Sequence, residues 1–351
     1  MQAEIDVGSL ANQGLVLNNI GNTYLFKADY QNARTYFEQA LEVRDKLGIS
    51  SDVADTLHNL AETLTNMAQY DQALQDYVRA IDLRRKAGDK RGAAIESSGM
   101  GNLFGYQGRY GAALSSQEDA VKALHEVQEQ GFWLAEVEGA HGLSLAEVGR
   151  SDDAKKSLDD AMSVARAQKN DAIVAELLGY EGDNAFYSGD YQASAALYAQ
   201  ASQAASHTTD AHLILVSKLN AAKVAVKQGH FQPASASLRS LAQQADAMGL
   251  KYVSAECSIY LGEALIGMKN YAQAKSELQS AMNHTESLGM QGLLVQSHFL
   301  LARVLELTGE KDEAQDHYKQ ARQIADAIQK DAHTDSITKR SDLSPIFSHS
   351  G

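Results

Sequence analysis

Apolar residues recur along this chain at the three- and four-residue spacing of a single helical face. Residues 15–48 show the pattern, with Leu17, Ile20 and Tyr24 on one face. A short break at residues 27–29 interrupts the pattern, which then resumes in the same phase. The arrangement predicts two amphipathic helices joined by a tight turn.

The same helical pair returns along the whole chain, with small residues at three fixed positions. The first position holds Gly21, Ala61, Gly101, Gly142, Gly182, Ala222, Gly262 and Ala302. The second holds Ala33, Ala73, Ala113, Ala154, Ser194, Ala234, Ala274 and Ala314, and the third holds Ala40, Ala80, Ala120, Ala161, Ala201, Leu241, Ala281 and Ala321. The period is forty residues, with one step of forty-one. A fixed period of this length predicts an all-α solenoid of about eight tandem helix-turn-helix repeats.

The two ends of the chain depart from the repeat. The repeats occupy residues 9–329, and residues 1–8 resemble a remnant of a preceding helix, because Gly8 precedes Gly21 by the same thirteen residues that separate Gly48 from Ala61. Such a remnant indicates either a short cap or a fragment of a longer protein, and we favour the fragment. Residues 330–351 lose the period and predict a C-terminal cap and tail.

The alternation of small and aromatic residues, seen at Gly21, Ala33, Phe37 and Ala40, resembles the tetratricopeptide repeat. The forty-residue period is similar to the longer variety in kinesin light chains and many bacterial signalling proteins. The resemblance implies a right-handed superhelix whose first helices line the concave side. It also implies that this concave groove binds a peptide or a protein segment.

A row of asparagines is the first candidate binding feature. Asn19, Asn22, Asn59 and Asn102 match positions at which peptide-binding relatives hold a peptide backbone, and an amide can both donate and accept. At about 1 kcal/mol per hydrogen bond, they give modest affinity, so side-chain pockets must add more. The candidate site comprises Asn19, Asn22, Phe26, Asn59, Asn66, Asn102, Tyr106, Tyr180, Tyr187, Asn220, Tyr260 and Phe299. Alternatively, the asparagines only keep the groove solvated.

Charge and apolar surface in the inferred groove suggest the kind of partner. The acidic groove positions are Asp55, Glu62, Glu136, Glu147, Glu176, Asp183, Glu256, Glu263 and Glu306, against Lys223, Lys227 and Arg303. The later repeats add an apolar patch of Tyr180, Phe186, Tyr187, Leu219, Ile259, Tyr260, Ile266, Phe299 and Leu307. An acidic, apolar groove favours a neutral or basic amphipathic segment. Alternatively, the long charged side chains simply solvate the groove.

The fourth repeat differs from its neighbours. It carries the extra residue of the single longer step, and Gly139 and Gly142 weaken its first helix by about 1 kcal/mol each relative to Ala. Glu138 and His141 occupy positions where other repeats place packing residues. Both a hinge and an eroded repeat fit these observations.

Composition narrows the classes of partner and location. The formal net charge of −14 disfavours nucleic acid and anionic membrane surfaces as partners. No apolar run reaches the roughly 18 residues that span a bilayer, and the N-terminus lacks the features of a signal peptide. A single cysteine, Cys257, excludes an internal disulfide framework. We therefore expect a cytoplasmic protein.

Motifs that carry chemistry are not found in the sequence. Its eleven histidines form no HExxH motif, and no CxxC pair occurs. The glycine-rich residues 99–105 lie within a predicted helix and lack the Lys-Ser/Thr of a phosphate loop. We expect no catalytic residue, no metal and no cofactor.

Three functional hypotheses follow. The first is a non-enzymatic scaffold that binds a peptide or protein in its groove, within a larger signalling or regulatory protein. The second is a sensor that tightens around a peptide or ligand, as in the peptide-pheromone receptors that share this repeat. The third is a scaffold that self-associates through its apolar groove or its open end.

Overall fold

The computed structural model describes residues 2–349, with side chains from residue 9 onward. This part of the chain is helical and contains no β-strand. The first eight helices are α1 (Gln2–Phe26), α2 (Tyr30–Leu47), α3 (Ser50–Asn66), α4 (Tyr70–Lys86), α5 (Lys90–Tyr106), α6 (Tyr110–Glu126), α7 (Phe132–Glu147) and α8 (Ser151–Ala167). The next eight are α9 (Asp171–Tyr187), α10 (Tyr191–Ala205), α11 (Ala211–Lys227), α12 (Phe231–Met248), α13 (Lys251–Gly267), α14 (Tyr271–Ser287), α15 (Gln291–Thr308) and α16 (Lys311–Ala332). A 3₁₀ helix (Asp335–Lys339) and α17 (Ser344–Ser348) follow.

Helices α1 to α16 form eight antiparallel hairpins. Each odd-numbered helix packs on the even-numbered helix that follows it, and each hairpin then stacks on the next. The prediction of an all-α superhelical solenoid of eight helix-turn-helix repeats is therefore confirmed. None of the helices between residues 2 and 349 is long and apolar enough to cross a membrane.

The first small position of each repeat sets the spacing within its hairpin. A Cβ added at Gly21 would lie 2.5 Å from the Phe37 ring, and one at Gly182 would lie 2.5 Å from the Tyr198 ring. The residue sixteen positions after the small residue is buried in every hairpin: Phe37, Tyr77, Gln117, Leu158, Tyr198, Leu238, Leu278 and Tyr318. A small residue thus leaves room for one large partner, because protein interiors are close-packed.

The third hairpin uses a polar side chain at this core position. The Gln117 amide donates to the Ser98 carbonyl oxygen at 3.0 Å and to Asn102 Oδ1 at 2.9 Å. Its side-chain oxygen accepts from Ser98 Oγ at 2.7 Å. A buried amide is tolerated when its donors and acceptor are paired, so these bonds explain how Gln117 can replace an apolar residue.

The turn inside each hairpin needs one residue in the left-handed backbone region. Five hairpins place glycine there, as the sequence predicts. The other three use Ala28 at φ 53°, Ala68 at φ 58° and Lys269 at φ 61°. The turn geometry is therefore common to all eight hairpins, although a side chain disfavours it.

The solenoid curls until its last hairpin meets the third. The rings of Tyr106 on α5 and Tyr252 on α13 are 4.8 Å apart. The Gln291 amide at the start of α15 donates to the Gln107 carbonyl oxygen at 3.1 Å. The inner faces of the odd-numbered helices α1 to α15 consequently surround a central space, which we call the lumen.

Both ends of the array differ from the regular repeat. Helix α1 continues through Gly8 from Gln2, so the chain does not turn at that glycine. After α16, the tail places Ile337, Leu343 and Ile346 in the protein interior. It packs against α6 and α7 as well as against α16, and so extends beyond the last repeat.

The glycines of the fourth repeat allow close packing. A Cβ at Gly139 would lie 2.5 Å from Leu177, and one at Gly142 would lie 2.6 Å from Leu158. Glu138 is buried and lies 3.1 Å from His125 Nε2. These contacts explain why larger residues are missing at both positions, and the hinge stays a prediction.

Candidate functional site

The predicted asparagine row follows the first three odd-numbered helices. On α1, Asn19 is exposed and Asn22 is half-buried. Asn59 on α3 is half-buried, and its amide donates to Asn18 Oδ1 on α1 at 3.4 Å. Asn102 on α5 is exposed, and its Oδ1 accepts from Gln117. The row therefore keeps solvent access, as a backbone-binding role requires.

Two further predicted asparagines have less freedom, whereas the predicted phenylalanine is open. The Asn66 amide donates to the Glu62 carbonyl oxygen of its own helix at 3.1 Å. Asn220 is 6% exposed. Phe26 is 64% exposed and lies at the end of α1. Of these three residues, Phe26 offers the most surface to a partner.

Most of the predicted aromatic residues are already engaged by other side chains. Tyr106 packs on Tyr252, and the Tyr180 hydroxyl donates to Glu176 Oε1 at 2.5 Å. The remaining aromatic contacts are Tyr187 under Arg340 at 3.9 Å, Tyr260 under Lys223 at 5.6 Å, and Phe299 beside Tyr318 at 5.6 Å. The structure thus places these rings around the lumen but fills much of the space between them.

The predicted exposure of the apolar patch is wrong for most of its members. Among the nine residues of that patch, Leu307 is strongly exposed, at 52%. The fully buried members are Phe186, Leu219, Ile259, Tyr260 and Ile266. They are buried because the later odd-numbered helices pack against one another, as α11 does on α13 and α13 does on α15.

Carboxylates from three helices form an unneutralised cluster that faces the lumen. Burial, together with Glu176 and Glu62, raises the pKa of Glu136 to about 8. Burial also raises the pKa of Glu176, and the surrounding protein raises that of Glu62, although the Glu62 side chain keeps contact with solvent; Asp210 adds to both shifts. Within residues 9–349, no lysine or arginine is among the main causes of these three shifts, whereas His58 lowers the pKa of Glu62 and of Glu136. We call Glu62, Glu136 and Glu176 the acidic cluster.

His58 is a positive charge beside the acidic cluster, but it is already paired. Its Nδ1 lies 2.8 Å from Glu96 Oε2, and Glu96 is 1% exposed. Burial lowers the pKa of His58, but the hydrogen bond and the charge of Glu96 outweigh this effect and raise the pKa to about 9. The pair is therefore formally neutral, and Glu136 Oε2 remains buried without a hydrogen-bond partner.

Elsewhere around the lumen, two lysines pair with three of the other acids. Lys223 Nζ lies 2.7 Å from Glu256 and 3.9 Å from Asp183. Lys227 Nζ lies 2.7 Å from Glu263. The lumen is therefore electrostatically divided, with the lysine-paired acids mainly on the sixth and seventh repeats and the acidic cluster on the second, fourth and fifth repeats.

Sequence reasoning did not predict the position of Arg340. This residue is 3% exposed and lies against Tyr187 and Tyr110, although it follows the last repeat by many positions. The tail has no period from which its location can be derived. The one available signal was the set of Ile337, Leu343 and Ile346, which are apolar residues in an otherwise polar segment.

No group of three or more His, Cys, Asp or Glu side chains between residues 9 and 349 is arranged to hold a metal ion. Cys257 is fully buried, and burial raises the pKa of its thiol. The lumen therefore offers hydrogen bonds, aromatic surfaces and negative charge.

Comparison with protein families identifies the repeat. A model described as tetratricopeptide repeat matches residues 52–126 and 255–327, and a second model of the same description matches residues 16–46. Together the matches cover about half of the chain. The comparison with curated proteins returned no match.

Several solved structures have a similar fold. A Rap protein in complex with the competence and sporulation factor is 12% identical, with a TM-score of 0.64 over 93% of this chain and 99% of that chain. The Rap conjugation gene regulator of plasmid pLS20, in complex with the Phr* peptide, is 12% identical, with a TM-score of 0.58 over 93% and 98%. The apo form of the quorum sensor NprR from B. thuringiensis is 14% identical, with a TM-score of 0.55 over 89% and 87%.

Proposed function

This chain belongs to the tetratricopeptide repeat family, and we propose that it is a non-enzymatic receptor that binds a peptide carrying a cationic side chain in its lumen. The acidic cluster is the observation that carries the proposal. Glu62 and Glu176 raise the pKa of Glu136, Glu62 also raises that of Glu176, and no lysine or arginine of the described chain is among the main causes of these shifts. A lysine or arginine of a ligand would supply the missing charge.

Electrostatics explains why such a site selects a cation. Holding several like charges together in a partly desolvated space costs free energy, and the raised pKa of Glu136 expresses that cost. A guanidinium or ammonium group relieves the repulsion and forms charge-assisted hydrogen bonds with the carboxylates. A ligand without a positive charge gains neither effect.

The asparagine row would hold the ligand's backbone. Asn19, Asn22, Asn59 and Asn102 occupy consecutive odd-numbered helices and retain solvent access. Their amides can pair with both the N–H and the C=O groups of an extended peptide. Two of the similar folds were solved in complex with the competence and sporulation factor or with a peptide, which supports this use of the lumen.

A sensor is the second candidate function. The observation that favours it is the closure of the last hairpin on the third, because a closed ring has an open alternative that a ligand can favour or disfavour. Ligand-dependent compaction in small-angle X-ray scattering would distinguish the sensor from a passive scaffold. Light scattering on a sizing column tests self-association, and a monomer at all concentrations argues against it.

Affinity selection from a peptide library tests the proposed function. The protein is incubated with a random heptapeptide pool, and the bound peptides are sequenced by mass spectrometry. We expect enrichment of Arg and Lys, which is lost when Glu62, Glu136 and Glu176 are replaced by Gln. The matched control replaces three exposed carboxylates, Glu38→Gln, Glu118→Gln and Glu126→Gln, and so keeps the same change in net charge.

Each outcome of this selection has a clear meaning. A bound set without charge preference, or an identical set from the acidic-cluster variant, contradicts the cation site. A variant with Asn19, Asn59 and Asn102 replaced by Ala should lose affinity for every bound peptide alike, because it removes contacts to the backbone. Unchanged binding by that variant would reject the role of the asparagine row.

A further inference from the structure

The C-terminal tail connects parts of the solenoid that are far apart in sequence. In repeat arrays each unit ordinarily contacts only its neighbours. Here Ser341 N donates to the Tyr187 carbonyl oxygen at 2.8 Å, and the Ser341 hydroxyl donates to the Phe186 carbonyl oxygen at 2.6 Å. Arg340 Nη1 donates to the Glu147 carbonyl oxygen at 2.6 Å. The tail therefore reaches from the eighth hairpin to the fourth and fifth.

These contacts satisfy the ends of helices. The carbonyl groups of the last turn of a helix lack partners within that helix. Arg340 and Ser341 supply donors to the ends of α7 and α9. A similar contact occurs at the N-terminus of α6, where Gly111 N donates to Asp331 Oδ2 at 2.7 Å. The N-cap residue of α6 makes no side-chain hydrogen bond of its own. A carboxylate at a helix N-terminus is stabilising.

Arg340 is held by contacts from both sides of the closed ring. Its guanidinium pairs with both carboxylate oxygens of Asp342, at 3.0 Å and 2.7 Å. It lies 3.9 Å from the Tyr187 ring centroid and 5.0 Å from that of Tyr110. Gln296 of α15 donates to Asp342 at 3.0 Å. A buried charge is costly without such partners, so the environment of Arg340 is complete only when the ring is closed.

An apolar core continues across the same junction. Ile337, Leu343 and Ile346 of the tail are at most 2% exposed. They share one cluster with residues of the third and fourth repeats, such as Leu145, and with residues of α16, such as Ile328. Burial of such apolar side chains stabilises the contacts that enclose them. The apolar contacts of the tail therefore stabilise the closed ring, in addition to its hydrogen bonds.

We propose that Asp331 and residues 335–348 form an intramolecular clasp that locks the eighth hairpin onto the third, fourth and fifth hairpins and so holds the superhelix closed. The surface that receives the clasp consists of the start of α6 and the ends of α7 and α9. Because each hairpin is stabilised by its neighbours, release of the clasp opens the ring and leaves the hairpins folded. The clasp operates whether or not the lumen binds a peptide.

Gly111 gives independent evidence that the sequence accommodates the contact between α6 and α16. A Cβ at this position would overlap the carbonyl oxygen of Asp331. The equivalent residues of the other repeats all carry side chains: Gln31, Asp71, Asp152, Gln192, Gln232, Ala272 and Asp312. Glycine thus occurs in the one repeat where the backbone of α16 approaches this position. The repeat itself tolerates alanine there, as Ala272 demonstrates.

The test measures the distance between α6 and α16. Spin labels are attached to Ser115→Cys and Gln320→Cys, both at exposed positions, while the buried Cys257 is shielded from the label. Double electron–electron resonance should give a narrow, short distance distribution for the parent protein. Arg340→Met should broaden the distribution and move its maximum to longer distances, with helicity by circular dichroism retained. The matched control, Arg303→Met, changes an exposed arginine of α15 and should leave the distribution unchanged.

A second variant keeps the test decisive if Arg340→Met fails to fold. Gly111→Ala inserts a methyl group between α6 and α16, and alanine favours the α6 helix over glycine. The hairpin should therefore remain folded while the distance lengthens. The clasp would be overturned if Gly111→Ala gave the same distance distribution as the parent while Arg340→Met either did the same or lost its helicity. A parent protein that is already broad and open would also overturn it.

Discussion

Replacement of Lys223 by Met gives a direct test of the electrostatic division of the lumen. Lys223 has 6% of its side chain exposed, and its ammonium group lies 2.7 Å from Glu256 and 3.9 Å from Asp183. Removing one partner of a buried ion pair typically costs about 3–5 kcal/mol, because the remaining charge stays buried without compensation. With a urea m-value of about 3 kcal/mol per M, the midpoint of unfolding should fall by about 1 M or more.

A double variant separates the cost of the orphaned charge from the loss of packing. Lys223→Met combined with Glu256→Leu removes the closer ion pair, while Asp183 keeps the hydrogen bond that it accepts from the Tyr198 hydroxyl at 2.6 Å. This double variant should recover most of the lost stability, since an apolar pair can replace a buried ion pair. Urea unfolding followed by circular dichroism at pH 7 measures all variants. Lys319→Met, at an exposed position of α16, is the control and should change the midpoint little. A Lys223→Met midpoint equal to that of the parent, or a double variant less stable than the single one, would refute the reasoning.

Three further predictions follow from the same structure. First, the pKa of Glu136 is raised to about 8 from an ordinary value of 4.5. Between these two pH values the folded protein holds a proton that the unfolded chain releases. The stabilisation from this proton is therefore complete below pH 4.5 and disappears as the pH rises to about 8. Urea midpoints at pH 5, 6.5 and 8 should therefore decline, and Glu136→Gln should flatten the decline; an identical slope would contradict the assignment. Second, a selected cationic peptide should bind more tightly as the pH rises from 6.5 to 8.5 and should release protons on binding, which calorimetry in buffers of different ionisation enthalpy detects; pH-independent binding would argue against Glu136 as its partner. Third, Lys269→Gly should stabilise the protein by about 0.5–1 kcal/mol, because Lys269 holds φ 61° at an exposed turn. A left-handed backbone costs a residue with a side chain about 1–2 kcal/mol, and the conformational entropy that glycine loses on folding offsets part of the gain. A lower urea midpoint for Lys269→Gly would show that the turn is not strained.

The fold could be predicted from the sequence because its packing rule is local and repeated. Gly21 and Phe37 lie sixteen residues apart, and the same relation holds in every hairpin. A contact of this kind is visible as a period. The acidic residues Glu62, Glu136 and Glu176 were likewise identified as groove residues from their position in the repeat.

Closure of the ring could not be predicted in this way. The contact between Gly111 and Asp331 spans 220 residues and occurs once, so no period reports it. Closure also decides which groove residues are available to a partner. Tyr187, for example, occupies a groove position in the repeat but lies under Arg340 in the folded protein.

Charge balance also required the structure. In the sequence, Lys223 and Lys227 are two cations among many acids, with nothing to assign them to particular partners. The structure assigns them to Glu256 and Glu263. The structure thereby separates Glu256 and Glu263 from the acidic cluster, whose members are identified by the effect of their carboxylates on one another's pKa.

Photo-cross-linking is the most direct test of peptide binding in the lumen. A peptide from the selected pool is synthesised with benzoylphenylalanine beside its cationic residue, irradiated with the protein, and located by mass spectrometry after digestion. We predict cross-links to α3, α7 and α9, the helices that carry Glu62, Glu136 and Glu176, and their loss when these residues are replaced by Gln. Cross-links on the even-numbered helices α4, α8 and α10, or cross-links that persist in the Gln variant, would contradict the account.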